Sequence, residues 1–315
     1  MDIVFIDQNK WIDLARIRAG KSNSAAMRSL YDELNNAVAR GRVLFPLTVA
    51  HILETSKRND PVSRATLAEV QATFSKGYVF RSRGARLLME MRCALKRLFG
   101  EPPIELPQHW AVAHAFMQAF EPFDEMVALP SDAQRSRFLS RNIDPRDQLY
   151  DYLVNQDDSD RRTANIAFAS ESTALVRRIE ERRQRWSVES KDVQRRAYAA
   201  QLFLDHQGYV AHELESIGRS VGEMKALGSS AIVQFMTDVP TLAVEVELTI
   251  RLESQSRAIH ENDIRDMHSF CSAIPYASLV IAENTFITLA RQSKLDSRYG
   301  CTLSTKLEEL AGAYR

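Results

Sequence analysis

The chain has 315 residues, 45% of them hydrophobic, and its 41 basic side chains equal its 41 acidic ones. That length suits one large domain or two modest ones, and the charge balance neither supports nor excludes nucleic acid, since a local basic patch coexists with zero net charge. Cys93, Cys271 and Cys301 are scattered and odd in number, which excludes a disulfide framework and a CxxC metal knuckle; with no window near the roughly 18 apolar residues of a membrane span and no basic segment before the first apolar run, the expectation is a soluble, cytoplasmic protein with no membrane partner.

The first predicted element is residues 3–6, Ile-Val-Phe-Ile, which run straight into Asp7. A short all-apolar run reads as a buried parallel strand, and open α/β sheets place their chemistry at the carboxyl ends of such strands. Asp7 is therefore either a metal-binding carboxylate or the cap of the next helix. That helix spans 10–18, with Trp11, Leu14 and Ala15 on one side, and Gly20 ends it. Met27, Leu30, Tyr31, Leu34 and Val38 predict a second helix over about 24–40. Residues 43–47 read as a second strand whose pairing Pro46 limits. Thr48 caps a third helix, 49–56, carrying His51 and Glu54. Asn59-Asp60-Pro61 breaks it, and a fourth helix runs to Phe74. Residues 77–80 form a third short strand. Strands alternating with helices define an α/β class.

From about 83 to 252 strand-like runs nearly vanish. Leu87, Leu88, Met91, Leu95 and Leu98 mark a helix, and Trp110, Ala113, His114, Met117 and Phe120 mark another. Residues 161–216 read as one or two long helices. Within them, 177–185 alternate in charge like a solvated helix face. Pro240 precedes a helical stretch with Leu242, Val246 and Ile250 on one side. The α/β pattern then returns. A helix holding Asp263, Asp266 and His268 ends at Pro275-Tyr276, and residues 278–282 form a buried strand that terminates at Glu283. Residues 284–293 are helical, 299–303 form a last strand, and a terminal helix starts at Thr305. The expected organisation is a discontinuous α/β domain, 1–80 and 255–315, interrupted by a mostly α-helical insertion, 81–254.

Two strands at opposite ends of the chain thus each end at an acid. If they are neighbours, Asp7 and Glu283 meet at one sheet edge. Glu54, just after the second strand, and Asp266, just before the last buried one, can project to the same edge. Four carboxylates in one cleft repel each other and need a cation, and an oxygen-only ligand set suits Mg²⁺ or Mn²⁺. Such a site positions water and stabilises charge on a phosphodiester.

These residues carry a resemblance. Asp7-Gln-Asn9-Lys-Trp-Ile-Asp-Leu14 resembles the D-x-N-x-x-(I/L)-x-L opening of PIN-domain ribonucleases. Residues 46–54, Pro-Leu-Thr-Val-Ala-His-Ile-Leu-Glu, resemble that family's second motif. Asp266, Pro275-Tyr276 and Val280-Ile-Ala-Glu283 resemble the D…P-Y…(V/F)-x-(T/A)-D pattern of bacterial PIN-like proteins. The resemblance covers about 1–80 and 255–315. It implies a three-layer α/β/α sandwich around a central parallel sheet, and hydrolysis of RNA with Mg²⁺ or Mn²⁺. Asp7, Glu54, Asp266 and Glu283 take the catalytic positions, with Asp7, Asp266 and Glu283 as metal ligands and Asn9 shaping the first loop. Two departures stand out: Glu283 replaces the usual Asp, and position 278 is Ser where relatives often carry a further acid. Asp263, three residues from Asp266 on nearly the same helix face, and His268 are additional candidates.

The expected function is a metal-dependent nuclease, an endoribonuclease acting on RNA or else DNA. The helical insertion would gate the cleft, bind substrate, or join a homodimer or protein partner. The alternative is an inactive PIN-like scaffold whose helical region binds a protein. A toxin, an RNA-processing enzyme and a phage-defence effector share this pattern. A haloacid-dehalogenase phosphatase needs a second Asp where the chain has Asn9. A zinc half-site at His51 and Glu54 lacks a second His or Cys pair. In the densest basic stretch, Arg81 to Arg97, Arg86, Lys96 and Arg97 are expected to spread over the helix's remaining surface, most of the basic side chains facing solvent and a few of them on phosphates.

Overall fold

The computed structural model describes residues 1–21, 24–120, 144–155, 157–186 and 188–314. The protein is mixed α/β and mostly helical, built on a four-stranded parallel sheet. Strands β1 (Asp2–Ile6), β2 (Val43–Leu44), β5 (Leu279–Ile281) and β6 (Thr302–Ser304) lie in the order β2-β1-β5-β6. Ile6 stands opposite Ile281, so β1 and β5 end at the same level. The chain winds outward from β1 to β2 on one side and places β5 and β6 on the other. The boundary between β1 and β5 is therefore a topological switch point, where a crevice opens at the carboxyl ends.

Helices α1 (Gln8–Arg18), α2 (Ala25–Ala39), α3 (Val49–Ser56) and α4 (Pro61–Ser75) follow the expected spacing, capped by Asp7, Ser24, Thr48 and Asp60. Side chains alternate across the strands, as the pleat requires. Val4 and Ile6 pack with Trp11, Leu14, Leu34 and Phe74 of α1, α2 and α4. Ile3 and Phe5 pack with Ile264, Phe270 and Phe286 in the other direction. Those last residues belong to α13 (Glu261–Ala273) and α14 (Asn284–Gln292).

Three expectations need correction here. Residues 110–120 are not a helix: Val112–Ala113 form β4, antiparallel to β3 (Val79–Phe80), and Phe116–Ala119 is a short 3-10 turn. Tertiary pairing overrides the helical spacing, with Arg81 donating its backbone N–H to Ala111 and its Nε to the Trp110 carbonyl. The expected third strand, β3, forms, but it stands outside the four-stranded ladder and meets it only through a bridge from Leu47 to Val79. After β6 there is a short 3-10 turn, Leu307–Leu310, in place of a terminal α-helix.

Between the two halves of the sheet lie α5 (Arg83–Leu98), α6 (Pro145–Asn155) and α7 (Asp158–Trp186), then α8 (Lys191–Asp205) and α9 (Gln207–Ser216). The span expected as one or two helices is three, broken at the Ser190 cap and at His206. Two short helices, α10 (Val221–Ala226) and α11 (Ser229–Asp238), lead to α12 (Pro240–Glu253), where Pro240 takes the first turn. Leu242, Val246 and Ile250 face the α5 cluster, whereas Val244 and Leu248 join Ile3 and Phe5. At Gly77, φ is +79°, and a Cβ would lie 2.5 Å from the Pro145 carbonyl carbon, so α6 passes against this turn only because the residue is glycine. Among the described residues no helix is long and apolar enough to cross a membrane.

Candidate acidic site

The register of β1 and β5 builds the site. Asp7 follows β1 and donates its backbone N–H to the Ile281 carbonyl at 3.0 Å. Ala282 and Glu283 follow β5 at the same edge. α3 brings Glu54 from the β2 side, and α13 brings Asp266. A pocket of about 160 Å³ is lined by Asp7, Glu54, Asp263, Asp266 and Glu283, with Gln8 and Thr285.

Asp7 both caps α1, its Oδ1 accepting the Lys10 N–H at 3.0 Å, and lines the pocket. Burial pushes its pKa up to about 6, against the Lys10 N–H and with help from the Glu283 charge. Asp266 is pushed up to about 7, first by burial and then by Glu54, Asp7 and Glu283. Burial also raises Glu54, with Arg265 and Lys57 opposing and Asp7 adding to the rise. Glu283 is exposed and accepts a hydrogen bond from the Asn9 side-chain amide. Asn9 therefore orients the carboxylate itself.

The other candidates separate from this group. Asp263 lines the pocket, but its oxygens accept from Arg257 at 2.6 and 2.8 Å and from the His260 N–H at 2.8 Å. Burial would raise its pKa, and the Arg257 contact outweighs it, leaving it lowered. It is the partner of the N-cap residue His260 in the capping box that starts α13. His268 lies away from the pocket; it lines a separate cavity near Glu245, Arg83 and Arg86, and desolvation lowers it to about 4. His51 is a core aromatic, stacked on Phe5 at 5.3 Å, with Nδ1 accepting the Thr48 N–H at 3.2 Å. Burial drops it to about 3, so it is neutral. Ser278 stands at the amino end of β5, its hydroxyl donating to the Ile3 carbonyl, so the missing acid there does not touch the pocket. Arg86 is 2% exposed, not a solvent-facing base. Arg265, 8% exposed, was not foreseen; its sequence neighbours give no sign that α13 turns a cation toward Glu54.

The donor set is oxygen-only and self-repelling, which fits a hard divalent cation. Among the described residues, no three or more His, Cys, Asp or Glu side chains are grouped so as to hold a metal, so an ion would have to draw these carboxylates inward. Compared with family models, curated proteins and solved structures, the chain has no match.

Proposed function

We propose that the protein is a metal-dependent nuclease of PIN-like type, an endoribonuclease acting on RNA. The observation that supports it most is one pocket at the sheet's switch point, lined by carboxylates from three distant segments of the chain. The motif likeness of 7–14, 46–54 and 266–283 points the same way, as do helices on both faces of the sheet, the arrangement of a three-layer sandwich. In this reading 1–80 and 255–315 form the catalytic α/β domain, 81–254 the helical insertion, and the protein works in the cytoplasm.

Asp7, Asp266 and Glu283 would hold Mg²⁺ or Mn²⁺, which when bound supplies water activation and charge stabilisation at a phosphodiester. The chain's own contribution is placement. Lys10 N–H fixes Asp7, Asn9 fixes Glu283, and the Arg265 charge keeps Glu54 from rising further. Glu54, half-buried and lining the pocket, is the group to orient the attacking water and accept its proton.

The test is cleavage of single-stranded RNA with Mn²⁺ by the wild type and by Asp7→Asn. A loss of at least about 100-fold in the variant is expected, the usual size of removing a group that acts in the transition state. Equal cleavage by both removes Asp7 from the mechanism. No cleavage by the wild type, together with no Mn²⁺ binding by calorimetry, favours the inactive scaffold.

A further inference from the structure

A second and larger cavity, of about 740 Å³, lies between the sheet domain and the central helices. Small-molecule sites typically occupy about 300–1,000 Å³. Phe80, Ser82 and Arg86 are buried at its base, and Arg178, Asp205 and Tyr209 are exposed at its mouth. The acidic pocket shares only Ala50 and Ser269 with it.

Its lining carries more cations than anions. Five arginines, Arg81, Arg83, Arg86, Arg178 and Arg182, line it with two carboxylates, Glu245 and Asp205, while Arg182 is also paired with Glu253 at 2.5 Å and Arg86 has Glu90 as a counter-charge outside the lining. Glu245 is taken by Arg83 at 2.6 Å and by the Tyr198 hydroxyl at 3.0 Å. The His206 and His268 rings are held neutral by burial, each pushed down to about 4. The N-terminus of α5 opens here too, since Ser82, Arg83 and Gly84 all line the space, and a helix start favours anions.

Three guanidinium nitrogens, Arg83 Nε, Arg86 Nε and Arg182 Nη2, lie closed off just behind this lining without a partner among the described residues, although each of their arginines bonds through another nitrogen, Arg83 to Glu245, Arg86 to the Arg81 carbonyl and Arg182 to Glu253. Folded proteins pair nearly all such groups, because an unmet buried donor carries its full desolvation penalty. Arg86, 2% exposed, is the deepest of the three. A guanidinium fork matches phosphate oxygens in both geometry and charge.

The remaining lining is largely apolar and aromatic, with Leu53, Leu175, Leu202, Phe80, Tyr198 and Tyr209. Arg182 lies 4.1 Å above the Tyr198 ring, and His206 stacks with Tyr209 at 5.9 Å. An inorganic anion would use the arginines and leave this wall unused. A ligand with phosphate at one end and a planar base at the other uses both.

We propose that this cavity binds a nucleotide, with its phosphate on the arginines at the start of α5 and its base against the aromatic wall. A free nucleotide and one nucleotide of a single strand share that chemistry. The site does not depend on the nuclease reading of the acidic pocket.

The experiment is calorimetric titration of the full chain, in EDTA, with AMP, ATP, a short single-stranded oligouridylate and inorganic phosphate. Micromolar binding of AMP or ATP is expected for a free-nucleotide site, and tighter binding of the oligouridylate for a strand site; either supports the proposal. Arg178→Glu, an exposed change that keeps the circular dichroism spectrum, is expected to weaken that binding by about tenfold or more. Arg86→Gln is the deeper variant, with the same direction and a larger effect. Asp7→Asn is expected to bind nucleotide as the wild type does, whether or not it cuts RNA. The proposal is overturned if no nucleotide probe binds, if inorganic phosphate binds as tightly as AMP, if Arg178→Glu binds unchanged, or if Asp7→Asn abolishes binding.

Discussion

At the scale of single residues, Asp7 and Asp266 are carboxylates that prefer to keep a proton. Their pKa values of about 6 and 7 lie above the ordinary 3.8. Folding therefore favours the protonated forms, so this contribution to stability is fully present below about pH 4 and is lost as pH rises through 7. Asp266→Asn removes the repulsion at high pH. The variant is expected to be more stable than the wild type at pH 8, by on the order of 2 kcal/mol, and no more stable at pH 4. Urea melts at the two pH values read this directly, and a gain of equal size at both would show that charge is not the cause. Asn9 offers a complementary test because it touches Glu283 without lining the pocket. Asn9→Ala is expected to weaken Mn²⁺ binding by about tenfold, as loss of a ligand-orienting partner does, with the thermal midpoint little changed. A variant that binds Mn²⁺ as the wild type does would detach Asn9 from the site.

At the scale of elements, α13 shows what could and could not be read from the sequence. Asp263 and Asp266 lie three residues apart with the same chemistry, and spacing alone leaves them tied. Arg257 breaks the tie, because it claims the first and leaves the second to the pocket. Asp263→Asn is accordingly expected to lower stability by about 1 kcal/mol, the size of a lost cap, while RNA cleavage persists; a loss of cleavage matching that of Asp266→Asn would reverse the assignment. Strands β1 and β5 were legible because an apolar run ending in an acid is a local signal, as were α1 to α4 from their apolar spacing, with the caps at Asp7 and Thr48. The β1–β5 register that unites Asp7 with Glu283 was only a conditional, since it is made by residues some 275 positions apart. The stretch 110–120 was misread for a related reason. Its helical spacing is real, but pairing with β3 supplies the backbone partners that decide its form. Arg86 was misplaced because a charge reads as solvent-facing unless its counter-charge, here Glu90, is known to be near in space.

At the scale of the whole molecule, the central helices are tied to the sheet rather than appended to it. α12 places Val244 and Leu248 in one cluster with Ile3 and Phe5, while Leu242, Val246 and Ile250 enter another with Leu87 and Met91 of α5. Glu90, buried in α5, accepts from the Thr241 N–H at 2.8 Å, the Thr241 hydroxyl at 2.7 Å and the Tyr276 hydroxyl. One carboxylate thus clamps α5, α12 and the segment leading into β5. Contacts shared in this way couple the unfolding of the two parts. Single-tryptophan variants keeping Trp11, beside the sheet, or Trp186, at the end of α7, are expected to give the same urea midpoint. Glu90→Ala leaves three buried donors without their acceptor and Arg86 without its counter-charge, and is expected to shift both midpoints together by about 3 kcal/mol. If Trp186 reports an earlier transition than Trp11, the central helices melt on their own. The nucleotide cavity, walled by both parts, would then form only when they are docked.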